Sequence, residues 1–341
     1  MRRLKNKGIL WYIMWLFPCI ANGQQVPQYS HYLLNGMLVN PAYAGYREHW
    51  YAQLFYHNQW VRTGTPQYFA LAVDGKIKTG VNIGIQYSNE QIGAASVNAF
   101  SAAYAYRLQT TNTSDLSFGL ALGVTHYGIN SGKLHPFEEN DPLLAALSNQ
   151  WLPIVDAGIY YGSDLFSAGV AVRNITNRQQ YGNGEGNVST GKDFLIPPAT
   201  WYSIWTLGVS LPVSQTVEWR PSIMWQEDFK TPSHFDITMA LLFHDRYWIG
   251  MSFRADHHFW KPKATNAVNE FYSLALTAEM FITNRLTFSY AYDLGLQSFS
   301  TPYRGGHEWS IGYYFTRKLQ DRFNRILRYK KYTTNEICYC P

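Results

Sequence analysis

The 341-residue sequence predicts an all-β fold: a transmembrane antiparallel β-barrel of about fourteen strands, with a plug-like N-terminal segment and a basic C-terminal tail. Three observations predict it. The chain opens on an export leader. Its body alternates polar and apolar residues without any apolar run of helix-spanning length. Its connections sort by parity, short after even strands and long after odd ones.

Residues 1–23 read as a Sec signal peptide. "MRRLKNK" is a basic n-region, "GILWYIMWLFPCI" an apolar core, and "ANG" places small residues around a cleavage site after Gly23. Cys19 would suit a lipoprotein box, but Pro18 stands where a small residue is expected. Residues 24–48 follow, rich in Tyr and Asn and broken by Gly36, Gly45 and Pro41. Proline pushes Asn40 out of the helical region, so no helix of useful length fits. Tyr, Leu and Met at this density pack rather than remain disordered. The expectation is a plug in the barrel lumen or its periplasmic mouth, its backbone groups paired with lumen polar residues.

The barrel is expected over residues 49–315. In "VNIGIQY", Val81, Ile83, Ile85 and Tyr87 fall on one face and Asn82, Gly84 and Gln86 on the other. "LSFGLALGVTHY" sets Leu116 to Val124 against Ser117, Gly119, Ala121, Gly123 and Thr125. "FDITMALLF" and "LTFSYAYD" repeat the pattern. Such segments begin near Trp50, Gln67, Gly80, Val97, Leu116, Ile154, Leu165, Trp201, Val217, His234, Tyr247, Phe271, Leu286 and Glu308. At roughly eight to twelve residues each they approach the length of a tilted spanning strand. Connections after even strands are short ("GSD", "HDR", "TNR"), whereas every long one, such as Ile129 to Pro153 and Asn174 to Thr200, follows an odd strand. That is the asymmetry of an outer-membrane barrel with short periplasmic turns, long outer loops and both termini in the periplasm. Apolar faces then meet lipid, and Gly, Ala, Ser and Thr line the lumen.

Composition excludes several classes. Aromatics make up 17% of residues and charges 15%, aromatic-heavy and charge-poor for a soluble domain. The net charge of +5 comes from the ends: four basic residues lie in the leader, and seven against two acids lie in the tail from Arg317. The remaining body holds 17 basic and 21 acidic residues, which is no nucleic-acid footprint. The tail, residues 316–341, spaces Leu319, Phe323, Ile326 and Leu327 at helical intervals among Arg and Lys. Its Cys338 and Cys340 have no further ligand nearby, so no metal site is read there.

No catalytic or cofactor motif emerges. Gly-x-Ser-x-Gly, HExxH and P-loop patterns are missing from the sequence. His244-Asp245 falls in a tight turn, and Asp256-His257-His258 is expected in an outer loop without a third ligand at a recognisable spacing. "GNGEGN" at 182–187 has one acid, Glu185, too few for a calcium loop. Glu218, Arg220, Asp236, Arg254, Glu279, Asp293 and Glu308 fall on lumen faces and read as a polar interior satisfied by ion pairs. No enzyme, cofactor or metal is expected. Trp151 in the Ile129 to Pro153 loop, and Phe259 and Trp260 in the Ala255 to Glu270 loop, are expected outside and suit protein contact.

Several stretches resemble the PorP/SprF family of outer-membrane proteins associated with type IX secretion and gliding motility. "PQYSHYLLNGMLVNPAYAG" is similar to the family's opening signature, through Pro27, Gln28, Tyr29, Tyr32, Asn35, Asn40, Pro41, Ala42, Tyr43, Ala44 and Gly45. "HNQW" resembles a following Arg-Asn-Gln-Trp element through Asn58, Gln59 and Trp60, with His57 where Arg is usual. "SYAYDLG", with Asp293, and "GHEWSIGYYF", with His307 and Glu308, extend the likeness, which runs from about residue 27 to 315. The resemblance implies a barrel in the lipid bilayer of the outer membrane that works with secretion-machinery proteins. It would deliver or retain a large secreted surface protein, and it implies no catalytic residues. The alternative on the same scaffold is a plugged transport channel for small or hydrophobic solutes.

Overall fold

The computed structural model describes residues 36–47, 49–59, 65–130, 149–176, 201–229, 232–257, 272–296 and 305–315. Fourteen antiparallel strands close into one barrel. They are β1 (Tyr51–Gln59), β2 (Gln67–Lys78), β3 (Val81–Ile92), β4 (Ala95–Thr111), β5 (Ser114–Ile129), β6 (Gln150–Ser163) and β7 (Phe166–Arg173), then β8 (Tyr202–Val209, continued by Leu211–Pro212) and β9 (Val217–Trp219 with Ser222–Glu227). The set is completed by β10 (Ser233–Phe243), β11 (Tyr247–His257), β12 (Tyr272–Phe281), β13 (Leu286–Gly295) and β14 (Gly306–Tyr314). Each strand pairs with its neighbours in the chain, and β1 pairs with β14 from Tyr51↔Tyr314 to Gln59↔Gly306. Closure leaves no unpaired edge, which lipid would penalise heavily.

β9 is interrupted at Pro221, which has no N–H to give its neighbour. The register survives: Trp219↔Leu241 before the break and Ser222↔Thr238 after it keep the same phase. The Arg220 N–H still reaches the Ala240 carbonyl at 2.8 Å. At the β10–β11 turn, His244 and Asp245 both take positive φ, +49° and +54°, and Arg246 N–H bonds Phe243 C=O at 2.9 Å. Two left-handed residues give this short turn the twist of the strands it joins.

The two faces separate as the alternation requires. On β5, Phe118, Leu120, Leu122 and Val124 are exposed outward, while Ser117, Gly119, Ala121 and Thr125 are buried inward. Leu116 to Val124 cover about 27 Å of strand at ~3.4 Å per residue, and a ~40° tilt makes that about 20 Å of depth, near the ~25 Å apolar band of such barrels. The outward aliphatic and aromatic residues are therefore a lipid-facing belt, and the chain is an outer-membrane β-barrel.

Three strands run longer than the eight to twelve residues expected: β4 has 17 residues, β5 has 16 and β6 has 14. The excess lies beyond the belt, where outward positions turn polar at Asn98 and His126 but the pairing continues. One rim carries only short turns (79–80, 112–113, 164–165, 213–216, 244–246 and 282–285); the opposite rim carries the long connections. Small residues line the lumen on β5, β7 and β13 as expected, whereas β3 presents the amides Asn82 and Gln86 around Gly84.

Candidate functional site

Inside the wall lies residues 36–47, folded as two single turns of 3₁₀ helix, Gly36–Leu38 and Pro41–Tyr43. The local chemistry of "NPAYAG" explains the second turn. Asn40 is extended (φ −144°, ψ 121°), its Oδ1 accepts the Ala42 N–H at 2.9 Å, and Pro41 occupies the first helical position, where a missing N–H costs nothing. Gly45, at φ +65°, turns the chain out toward β1. Such short turns cannot satisfy their own backbone, so the surrounding wall must.

Three consecutive side chains point to three parts of that wall. Met37 packs with Ala72 and Ala105 of β2 and β4; Leu38 with Phe55, Tyr68 and Ala70 of β1 and β2; Val39 with Tyr202, Ile204 and Met224 of β8 and β9. Tyr43 and Tyr46 lie on Tyr160 of β6, with ring centroids at 4.0 and 5.1 Å. Lumen-face glycines make the space. A Cβ on Gly84 would strike Met37 Sδ, one on Gly119 the Pro41–Ala42 peptide, and one on Gly158 the Asn40 side chain. The segment thus meets a glycine or a packed side chain on every strand from β1 to β9, and Ala42 has no exposed surface.

Polar groups of the wall satisfy the segment's backbone. Ser117 Oγ donates to Ala42 C=O at 2.8 Å, and Gly45 N–H donates to Asp74 Oδ2 at 2.8 Å. The Arg173 guanidinium donates to Leu38 C=O and is itself held by Asp156 Oδ2 at 2.7 Å. Asn40, 1% exposed, lays its amide on bare backbone beside Gly158 and Gly169. Its Nδ2 donates to Ile159 C=O at 3.0 Å and Val170 C=O at 3.3 Å, the carbonyls of one cross-strand pair. Burial pushes the Tyr43 phenol well above its ordinary range, so it remains a neutral donor.

The opposite wall carries an ionic cluster. Arg254, 1% exposed, donates to Asp236 Oδ2 at 3.0 Å and Asp293 Oδ2 at 3.1 Å, and stands 3.9 Å from Glu308 Oε1. His57 Nδ1 meets the same Glu308 oxygen at 2.9 Å, and Thr238 Oγ1 donates to Asp236 at 2.8 Å. A buried guanidinium surrounded by carboxylates is a structural clasp joining β1, β10, β11, β13 and β14. Among the described residues, no group of three or more His, Cys, Asp and Glu is placed to hold a metal ion.

The residues singled out by sequence divide. Asn40, Pro41, Ala42, Tyr43, Ala44 and Gly45 lie in the inner segment; His57, Asp293 and Glu308 meet at Arg254. Asn58 pairs across from His307, and Gln59 from Gly306, at the loop rim. His307 Nδ1 meets Tyr290 Oη at 2.8 Å, and its ring stacks on Trp309. Trp151, expected in an outer loop, is instead a residue of β6 on its outward face, because the β5–β6 pairing continues past the lipid belt. Pro27, Gln28, Tyr29, Tyr32, Asn35, Trp60, Phe259 and Trp260 lie outside the described residues, as do His258, residues 182–187 and the tail. A further expectation is corrected: Asp256 and His257 are not loop residues but the last two of β11, where Asp256 pairs with His234 Nδ1 at 2.6 Å. Sequence reasoning missed Arg173 and Asp156 as holders of the segment, since neither stands in a motif.

Among solved structures the chain is similar to the Acinetobacter baumannii outer membrane protein Omp33 (8% identity, TM-score 0.46, covering 79% of this chain and 99% of that one). It is similar also to the CymD monoaromatic hydrocarbon channel (10% identity, TM-score 0.47, 82% and 91% covered) and to the KdgM porin (7% identity, TM-score 0.37, 78% and 99% covered). Likeness at this level carries nothing about transport. No curated protein matches the chain. The family described as type IX secretion system membrane protein PorP/SprF matches residues 21–313, most of the chain, with the inner segment and every strand but the last residue of β14 inside the match. The chain belongs to the PorP/SprF family of type IX secretion system membrane proteins.

Proposed function

We propose that this barrel is a closed membrane anchor of the type IX secretion machinery that delivers or retains a surface protein cargo, and that it passes no solute. One observation carries the reading: residues 36–47 reach every strand from β1 to β9 and fill that side of the lumen, while the Arg254 cluster packs the other. A passive channel needs a continuous aqueous path; buried Asn40, Ala42, Arg254, Asp236 and Glu308 oppose one. In this reading residues 24–48 are a plug, residues 316–341 a basic periplasmic extension, and both termini meet the machinery in the periplasm. The long loops face the cargo outside, with Phe259 and Trp260 among the contacts. No step of catalysis is assigned.

The test is a planar-bilayer recording beside a surface proteome. The wild-type barrel should show no open conductance, and its loss from cells should strip one or a few surface proteins while other substrates still leave. A solute-selective conductance in the wild-type barrel, with the surface proteome unchanged by its loss, would replace this reading with that of a transport channel.

A further inference from the structure

Strands β3 to β6 rise beyond the lipid-facing belt, and their outward face changes chemistry where they leave it. On β3 the outward series passes from Ile83, Ile85 and Tyr87 to Asn89; on β4 from Phe100 to Asn98; on β5 from Val124 to His126; on β6 from Pro153 to Trp151. Asn89↔Asn98, Asn98↔His126 and His126↔Trp151 are direct cross-strand partners, so the polar residues form one row. None of them is an acid or a permanent cation.

The row is ordered from within. Asn98 Oδ1 accepts from Tyr87 Oη at 3.0 Å and from Asn89 Nδ2 at 2.8 Å. Asn98, Asn89 and Tyr87 thus form one polar cluster, whose amides hold donors and acceptors beyond these two bonds. Two strands away, about 10 Å at ~4.8 Å per strand, the Trp151 ring rests on His126 with centroids 4.5 Å apart. Trp151 is 67% exposed, its indole presented at the edge of the lipid belt where barrels carry aromatic girdles.

We infer that this row binds the saccharide of an outer-leaflet glycolipid. Neighbouring donor and acceptor amides match the hydroxyls of a sugar ring, and an exposed indole stacks on the ring's C–H face. An anionic headgroup is the poorer fit, since recognition of phosphate uses Arg or Lys and the described row has neither. Location selects the membrane source over a free polysaccharide. The row faces sideways, continuous with the lipid belt, so a glycolipid whose acyl chains lie on Val124 and Phe100 carries its sugars to Asn98 and Trp151. The inference rests on the loop rim being outside and is independent of cargo and plug.

Native mass spectrometry of the full-length protein in detergent tests it, with rough-type lipopolysaccharide (lipid A bearing core sugars) and lipid A alone as probes. The wild type should retain the sugar-bearing lipid at least tenfold better than lipid A. The Asn98→Ala/Trp151→Ala variant should lose that preference, Trp151→Phe should keep most of it, and Trp205→Ala, on the outward face of β8, should leave it intact. All four proteins are first checked for the heat-modifiable gel shift of a folded barrel. Equal retention of the two lipids by the wild type overturns the inference, as does an unchanged preference in Asn98→Ala/Trp151→Ala. Isolated core oligosaccharide binding as tightly as the intact glycolipid would also overturn it, in favour of a soluble polysaccharide. A cysteine at Ser96, labelled on whole cells by a membrane-impermeant maleimide, checks the orientation separately.

Discussion

Replacing Asn40 with Ala removes three bonds at once: two from Nδ2 to the Ile159 and Val170 carbonyls, and the cap from Ala42 N–H to Oδ1. Each buried hydrogen bond contributes about 1 kcal/mol net, and an Asn cap about 1 kcal/mol relative to Ala. The two carbonyls keep partners elsewhere in the sheet, so no large further penalty is added. The sum is about 3 kcal/mol, roughly a hundredfold in the docked-to-undocked ratio at ~1.4 kcal/mol per tenfold. Hydrogen exchange of the amides of residues 42–46 reads this ratio directly, because exchange of a protected segment proceeds through local opening. Their protection should fall about a hundredfold while the strand amides of β10 to β14 keep theirs. Asn40→Asp separates the contributions. It retains the cap acceptor but sets an anion against two carbonyl oxygens, so it should open the segment at least as much as Ala. If Asn40→Asp protects like wild type, the amide donor is irrelevant and the reasoning from the Gly158–Gly169 cradle fails.

Other expectations follow from the same contacts. Gly119→Val should expel the segment outright, since its Cβ overlaps the Pro41–Ala42 peptide; a barrel that still folds but conducts in a bilayer is the expected result. Arg254→Met should lower the midpoint of urea unfolding by an amount equal to about 3–5 kcal/mol, because Asp236, Asp293 and Glu308 are left buried without their cation. Adding Asp236→Asn and Asp293→Asn to that variant should recover much of the loss, and no recovery would show that packing rather than charge is at stake. A cysteine at Thr176, on the loop rim, should react with an impermeant maleimide on whole cells, while one at Thr113, in a turn of the other rim, should not. Equal labelling would invert or abolish the proposed topology.

Most of the wall was legible because two solvents write on alternate residues. Along β5 and β10 each outward side chain must suit lipid and each inward one a crowded interior, so the period-two pattern sets both strand and face. Loop sorting by parity follows from antiparallel closure and needs no contact information. The outer limits of β4 to β6 were less legible: beyond the belt the outward face becomes polar, and the alternation that defines a strand by composition fades although pairing persists. Asp256 was misplaced for that reason, since a charged strand end looks like a loop until His234 is seen opposite.

The sequence by itself determined the alternation, the number of strands, the parity of the loops and the turn at Asn40–Pro41, all consequences of residues a few positions apart. Only the tertiary structure decided what those residues touch. Asn40 finds its carbonyls 119 and 130 positions along the chain, and Arg254 its carboxylates 18 and 39 positions away. The reason is geometric. A closed sheet brings β1 beside β14 and folds nine strands around one short segment, so a glycine's lack of a side chain acquires meaning only once the wall has curved around Pro41 and Asn40.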